Sequence, residues 1–142
     1  MVRKMYYFNK RIRRAVSNFY SEIVKPESFI KGEDFENFLR RAIYTEDKYD
    51  LVMKTHNYND NKNDYIEITK YPDFMFRDKK TGDEFYVEAK YRENLFNEKV
   101  EWCKMYQFDR YKEINKSRKV LVAIGLGGRP RSPKSVFIMP LD

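Results

Sequence analysis

Hydrophobic residues along the chain change from helical to strand spacing and back, which predicts an α/β protein. The first helix is expected from about Arg3 to Val24, because apolar side chains recur every three or four residues and Pro26 ends the pattern. A second helix is expected to begin near Gly32. Its apolar stripe consists of Phe35, Phe38, Leu39, Ala42 and Ile43.

Short apolar segments with alternating polarity predict strands at 49–54, 74–77 and 85–91. Helical spacing returns from about Asn97 to Asn115. A continuous apolar run at 120–124 then predicts a buried strand, parallel to the 85–91 strand. A glycine-rich loop from Gly125 and a last edge strand at 136–139 follow. We therefore expect a mixed β-sheet flanked by helices in one domain, 1–142, with a basic helical extension at 1–30 and a core at 31–142.

The segment between the second and third strands predicts a β-hairpin with a defined register. Asp78 and Asp83 enclose a four-residue loop that contains Gly82. If Asp78 pairs with Asp83, the antiparallel ladder places Asp73 directly opposite Glu88, with Cβ atoms about 5 Å apart. Alternation of side chains puts Asp73, Glu88 and Lys90 on one face and the apolar residues on the other.

Two carboxylates directly opposite each other destabilise a sheet unless positive charge lies between them. A divalent cation with oxygen ligands meets that need, and Mg²⁺ binds such ligands at about 2.1 Å. Lys90 lies near enough to orient a metal-bound water or help deprotonate it. The alternative is an exposed hairpin whose acids are offset by neighbouring Lys and Arg.

These residues resemble a known signature. Pro72-Asp73, followed by Glu88-Ala89-Lys90, is similar to the motif of the PD-(D/E)xK nuclease superfamily, which has a restriction-endonuclease-like fold. The resemblance covers roughly residues 31 to 125. It implies that Asp73, Glu88 and the Ala89 carbonyl bind Mg²⁺ or Mn²⁺, and that Lys90 orients the attacking water.

Three further residues gain candidate roles from the same resemblance. Glu36, in the helix that begins near Gly32, would complete the metal site directly or through water; the alternative is a solvated glutamate near the helix N-terminus. Gln107 and Tyr111 match a Gln and Tyr spaced four apart in some branches. Gln107 would reach toward the lysine strand and Tyr111 would contact substrate phosphate, or else Tyr111 packs in the core and Gln107 binds nearby backbone.

The net charge of +7 is concentrated at the two ends of the chain. Arg13 and Arg14 belong to a cluster of six basic residues that precedes the first acid, and Arg129 and Arg131 lie in a second cluster near the C-terminus. A basic frame around acidic residues suits binding of a nucleic-acid backbone. The alternative is a soluble basic protein with no such partner.

The cysteine content and the length of the apolar runs bear on the cellular compartment and on membrane contact. Cys103 is the only cysteine, so the chain forms no internal disulfide, and no apolar run approaches the ~20 residues that span a bilayer. We expect a cytoplasmic protein without membrane contact. The Asn- and Asp-rich stretch at 57–64 is expected to be an exposed loop, and His56 before it a surface residue.

The function predicted from the sequence is that of a Mg²⁺- or Mn²⁺-dependent endodeoxyribonuclease. One rival is a catalytically inactive nucleic-acid-binding or structural module with the same fold. A second rival is a basic interaction protein with no nucleic-acid role. Cutting of both DNA strands, or of branched DNA, would favour a homodimer.

Overall fold

The computed structural model describes residues 10–19, 25–55 and 70–142. The chain divides into two compact units, Met1–Ile30 and Lys31–Asp142. Residues 10–19 are helical and are called α1. The other elements are α2 (Glu27–Ala42), β1 (Tyr49–Lys54), β2 (Phe74–Asp78), β3 (Glu84–Arg92), α3 (Met105–Ser117), β4 (Val120–Arg129) and β5 (Ser132–Pro140). The expected loop at 57–64, His56 and both ends of the first predicted helix lie outside the described residues.

The five strands form one mixed sheet in the order β1-β2-β3-β4-β5. Strands β3 and β4 are parallel, and every other neighbouring pair is antiparallel. Helix α3 makes the crossover between the two parallel strands, as an αβ connection of that length allows. The predicted α/β class, the N-terminal helix and the mixed sheet are confirmed. No helix in the described part of the chain is long and apolar enough to cross a membrane.

The predicted register of the β2–β3 hairpin is also confirmed. Phe74 pairs with Val87, Phe76 pairs with Phe85, and the Asp78 N–H donates to the Asp83 carbonyl at 2.9 Å. The turn is stabilised by the Asp78 carboxylate, which accepts the N–H groups of the second and third loop residues at 2.7 and 3.2 Å. Gly82 follows with a φ of +78°, a conformation that glycine adopts without a steric cost.

The sheet has an apolar cluster on each face. On one face, Phe35 and Leu39 of α2 pack against strand residues Phe74, Phe76, Val87, Tyr91 and Ala123. On the other face, Tyr111 and Ile114 of α3 pack against Tyr86, Val120 and Met75. Because side chains alternate along β3, the side chains of Glu88 and Lys90 project toward the α3 face.

Three predicted boundaries were wrong by five residues or more, and the start of β5 was wrong by four, since the strand begins at Ser132 rather than Val136. Helix α2 begins at Glu27 rather than near Gly32, since the Pro26 carbonyl accepts the N–H of Phe29 at 2.9 Å and starts the helix directly after the proline. Helix α3 begins at Met105 rather than Asn97, because residues 96–99 form a tight turn instead.

The third wrong boundary is the end of β4. The strand continues through the glycines that the sequence suggested would form a loop, and it ends at Arg129. Gly125 is required within the strand because a Cβ at that position would lie 2.5 Å from the ring of the buried Phe35. The glycine therefore marks close helix–sheet packing rather than a turn.

Candidate active site

The candidate site lies where β2 separates from β3. The ladder ends at the pair Phe74 and Val87, and Pro72 has no N–H to continue it. The Ala89 N–H, which would face Pro72 in a continued ladder, donates instead to Asp73 Oδ2 at 2.7 Å. A carboxylate thus takes the place of a backbone carbonyl, and this substitution holds Asp73 at the point where the two strands diverge.

The main chain around this point is held from the other side by β1. The Asp73 carbonyl accepts the Thr55 N–H at 2.9 Å and the Thr55 hydroxyl at 3.0 Å. Within a strand, the N–H and C=O of one residue point to the same edge. Since the Ala89 N–H points toward Asp73, the Ala89 carbonyl also points into the gap left by β2. Carbonyl and carboxylate oxygens therefore face the same space.

Glu88 is 2 % exposed, and three side chains hold its carboxylate. Lys90 Nζ lies 2.7 Å from Glu88 Oε1, and the Tyr111 hydroxyl donates to Oε2 at 2.7 Å. Gln107 donates through Nε2 to the Tyr111 hydroxyl at 3.0 Å and lies 3.4 Å from Glu88 Oε1. A buried carboxylate with a hydrogen-bond donor at each oxygen, one of them charged, is fixed in one orientation.

Burial is the main cause of a strongly raised pKa at Asp73, and the neighbouring carboxylates of Glu88 and Glu36 raise this pKa further. Lys90 and the Ala89 N–H act in the opposite direction without offsetting the other effects. For Lys90, burial alone would lower the pKa, but the charges of Glu88 and Asp73 outweigh it, so the Lys90 pKa is raised. The site thus disfavours negative charge on Asp73 and favours the protonated ammonium of Lys90.

Glu36 of α2 belongs to the same electrostatic group, since its charge raises the pKa of Asp73. Its carboxylate lies 3.2 Å from Lys54 Nζ at the end of β1. Burial raises the Glu36 pKa and Lys54 counteracts this rise. Within residues 10–19, 25–55 and 70–142, no group of three or more His, Cys, Asp or Glu side chains is placed to hold one metal ion. This arrangement favours contact of Glu36 with a metal through water over direct ligation, and both roles stay predictions.

Tyr111 is not placed to contact a phosphate. The residue is 2 % exposed, its hydroxyl is hydrogen-bonded to Glu88, and its ring stacks on Trp102 at 6.5 Å between centroids. This position agrees with the alternative that Tyr111 packs in the core, although its hydroxyl also supports the candidate site. Gln107 reaches the lysine strand through Glu88, as the first interpretation proposed.

Within the second compact unit, Arg129 and Arg131 do not lie beside Glu88 and Lys90. Arg129 and Arg131 lie at the β4–β5 turn. Lys90 of β3 pairs with Ile124 of β4, and Arg129 lies five residues further along β4, or about 16 Å from that pair. Arg131 Nε is 2.9 Å from Asp34 Oδ1. Arg13 and Arg14 are exposed on α1, in the other compact unit.

Two residues near the site were missed by sequence reasoning. Lys54 reaches the site because β1 pairs with β2 through a bulge between Leu51 and Met53, and no sequence signal indicated that register. Trp102 supports Tyr111 by stacking. The interleaving of aromatic and basic residues from Arg92 to Tyr106 was a signal that could have identified it.

No protein-family model, curated protein or solved structure matches this chain. The resemblance to PD-(D/E)xK nucleases therefore remains a prediction that rests on the chain's own residues. Chemically, the site combines two carboxylates, a carbonyl and an ammonium group around one gap in the sheet. Hard oxygen donors of this kind suit Mg²⁺ or Mn²⁺ better than Zn²⁺ or Cu²⁺.

Proposed function

We propose that the protein is a metal-dependent nuclease of the restriction-endonuclease-like type that hydrolyses phosphodiester bonds in DNA. The observation that carries the proposal is the position of Asp73, which caps the Ala89 N–H where β2 leaves β3 and lies close enough to Glu88 for the two carboxyl groups to interact electrostatically. A surface hairpin with solvated acids would not bury Glu88 to 2 % exposure beside Lys90.

The residues present fit a divalent cation. The carboxyl groups of Asp73, Glu88 and Glu36 influence one another. Among the described residues, Lys90 and Lys54 are the cations that pair with them, so ionisation of all three acids leaves one negative charge in excess. Asp73, Glu88 and the Ala89 carbonyl would hold Mg²⁺ or Mn²⁺, and Glu36 would bind a water of the ion. The bound ion would lower the pKa of a water and offset negative charge on the phosphate.

Side chains of the protein would supply the other contributions to catalysis. Lys90 would donate a hydrogen bond to the attacking water and to a non-bridging phosphate oxygen, which stabilises charge as it develops. The water gives a proton to solvent as its oxygen forms a bond to phosphorus, the bond to the ester oxygen breaks, and that oxygen leaves with a proton from solvent. Tyr111 and Gln107 would act as positioning residues, because they hold Glu88 without touching the substrate.

One observation favours an inactive nucleic-acid-binding module instead. Both oxygens of Glu88 already have partners in Lys90 and Tyr111, so the carboxylate is satisfied without a metal ion. A protein that has lost turnover could retain such a closed network. This second candidate predicts binding of DNA with no cleavage at any concentration of Mn²⁺.

The decisive experiment is cleavage by the pure full chain of linear, supercoiled, flapped and four-way-junction DNA, with Mg²⁺ or Mn²⁺. Lys90→Ala should slow cleavage by about 10²- to 10³-fold, the usual range for loss of one donor that stabilises developing charge. Lys116→Ala is the matched control, since Lys116 lies on the exposed surface of α3 and pairs with Glu113. Full activity in pure Lys90→Ala protein would remove Lys90 from the mechanism.

Metal binding is tested separately by calorimetric titration with Mn²⁺. Asp73→Asn should lose both Mn²⁺ binding and cleavage, whereas Asp109→Asn, on the exposed side of α3, should lose neither. Binding of Mn²⁺ to Asp73→Asn with wild-type affinity would contradict the assigned ligand set. Wild-type protein that binds DNA and Mn²⁺ but never cuts would favour the inactive module.

A further inference from the structure

A groove of about 430 Å³ opens directly beside the candidate site. Lys90 and Gln107 belong to its lining, so the groove adjoins the residues that hold Glu88. The rest is lined by the segment between β3 and α3 and by the first turn of α3. None of the roles proposed above uses this groove.

The groove carries an excess of positive charge. Besides Lys90, its lining contains Arg92, Lys99 and Lys104, whereas Glu101 is its one acidic residue among those described. Arg92 donates to the main-chain carbonyls of Glu101 and Tyr91, at 3.0 and 2.9 Å, which fixes its orientation, and no carboxylate among the described residues forms an ion pair with it. Within the described chain, no carboxylate lies within ion-pair distance of Lys99 or Lys104. These cations are therefore available to an anion.

The N-terminus of α3 adds to this positive potential. The helix starts at Met105 without a side-chain cap, and its first turn contains no acidic residue. The partial positive charge of the helix end is consequently not offset by a carboxylate of that turn. Lys104, at the N-cap position, also lines the groove.

Aromatic side chains lie among these cations. Trp102 lines the groove, Tyr106 is 63 % exposed, and Phe96 is 74 % exposed. Phe96 is held in place by a two-residue turn, since its N–H and C=O both bond to Lys99, at 3.0 and 2.9 Å. Asn97 and Glu98 in that turn have φ values of 49° and 57°. A left-handed conformation at Glu98 has a steric cost, and such strain often occurs at functional sites.

We propose that this groove binds a single-stranded segment of DNA and leads it to Lys90. The inference deepens the proposed nuclease function, on which it rests, by naming the form of its substrate. Phosphates would contact Lys99, Lys104 and Arg92, and unpaired bases would stack on Trp102, Tyr106 or Phe96. Cations that follow a backbone, combined with aromatic stacking surfaces, are the means by which proteins bind single strands without sequence preference.

A duplex fits this groove less well than a single strand does. In a duplex, each base is already stacked between its neighbours, and its faces are closed to protein side chains. Exposed rings such as Phe96 and Tyr106 would then remain in water and contribute nothing. The charges alone would still attract a duplex, so a preference for single strands measures the contribution of the rings.

The test uses the full wild-type chain in EDTA, so that binding is measured without cleavage. Trp102 is the only tryptophan, and quenching of its fluorescence by short oligo(dT) reports on the groove itself. We expect saturable quenching, with weaker binding of a blunt duplex made of the same number of nucleotides. Equal affinity for the two DNA forms, or binding that leaves Trp102 fluorescence unchanged, would overturn the proposal.

Two variants separate the contributions of charge and stacking. Lys99→Ala combined with Lys104→Ala should reduce the slope of log K against log salt concentration by about 1.4, because each phosphate contact to a single strand contributes about 0.7. Lys112→Ala combined with Lys116→Ala is the matched control on the exposed side of α3 and should leave the slope unchanged. Identical slopes for the two pairs would exclude the groove lysines from phosphate binding.

Tyr106→Ala should weaken oligo(dT) binding by about 5- to 150-fold, the range that corresponds to loss of one base–aromatic stack. Phe137→Ala removes a ring of similar exposure from β5, outside the groove, and should have no effect. Thermal melts of each variant establish that the fold is retained. A Tyr106→Ala protein that is folded and binds like the wild type would count against stacking.

Failure of this inference differs from failure of the proposed function. If Mn²⁺-dependent cleavage occurs but single strands do not quench Trp102, the nuclease proposal survives and the groove assignment is wrong. If oligo(dT) binds in EDTA and no DNA is cut with Mn²⁺, the groove assignment stands as a binding property and the nuclease proposal is wrong.

Discussion

The hydroxyl of Tyr111 is the most informative single group to remove, because it links α3 to the buried carboxylate of Glu88. The hydroxyl donates to Glu88 Oε2 at 2.7 Å, and both residues are 2 % exposed. Tyr111→Phe keeps the buried ring and its stacking on Trp102. The change therefore isolates one hydrogen bond to a buried charge.

A hydrogen bond to a charged group contributes about 1.5–3 kcal/mol, and removing the donor leaves a buried carboxylate oxygen without that partner. We expect Tyr111→Phe to lower the free energy of unfolding by about 2 kcal/mol. A chain of 142 residues unfolds with an entropy of about 0.3 kcal/mol/K, so Tm should fall by about 7 °C. Loss of orientation at Glu88 should also weaken Mn²⁺ binding by about 10- to 100-fold.

The measurement is urea and thermal unfolding at neutral pH in EDTA, followed by calorimetric Mn²⁺ titration. Tyr106→Phe is the control, because Tyr106 lies on the same helix and is 63 % exposed. The stability of this control should stay within about 0.5 kcal/mol of wild type, as is usual for surface substitutions. If Tyr111→Phe were as stable as Tyr106→Phe and bound Mn²⁺ with wild-type affinity, Tyr111 would have no positioning role.

Three further outcomes follow from the packing and charge of the same core. Gly125→Ala should destabilise the protein by about 1–3 kcal/mol in thermal melts, because its Cβ would lie 2.5 Å from the Phe35 ring; a wild-type Tm would show that the helix–sheet contact is looser. Gly32→Ala, with no atom within 4 Å of the new Cβ in α2, should instead stabilise by about 0.5–1 kcal/mol. Asp73→Asn should raise Tm in EDTA, because burial and nearby carboxylates make the ionised acid unfavourable. Addition of Mn²⁺ should not raise the Tm of this variant, because the variant has lost a metal ligand. A lower Tm in EDTA would mean that the Ala89 hydrogen bond to the carboxylate outweighs that repulsion.

The candidate site could be predicted from local sequence to an unusual extent. The turn residues from Asp78 to Gly82 and the alternation of apolar side chains are both short-range signals, and together they set the pairing of β2 with β3. That pairing brings Asp73, Glu88 and Lys90 to one region. Strand β1 was also predicted with the bounds that the structure has, Tyr49–Lys54.

Element boundaries were less predictable, for identifiable reasons. The delayed start of α3 at Met105 depends on left-handed backbone at Asn97 and Glu98, residue types that do not require it. The extension of β4 through Gly125 depends on the approach of the Phe35 ring from α2, which is ninety residues away in the chain. Neither cause is visible in the local pattern.

The sequence by itself determined the class of fold, the hairpin register and the acidic and basic residues of the site, because turn chemistry and side-chain alternation act over a few residues. Only the tertiary structure decided that Tyr111 supports Glu88 instead of contacting substrate phosphate, that Lys54 pairs with Glu36, and that a basic groove with aromatic walls opens beside Lys90. Those relations join segments that are distant along the chain. Their geometry depends on how two helices pack on opposite faces of one sheet. The local spacing of apolar and polar residues does not predict that packing.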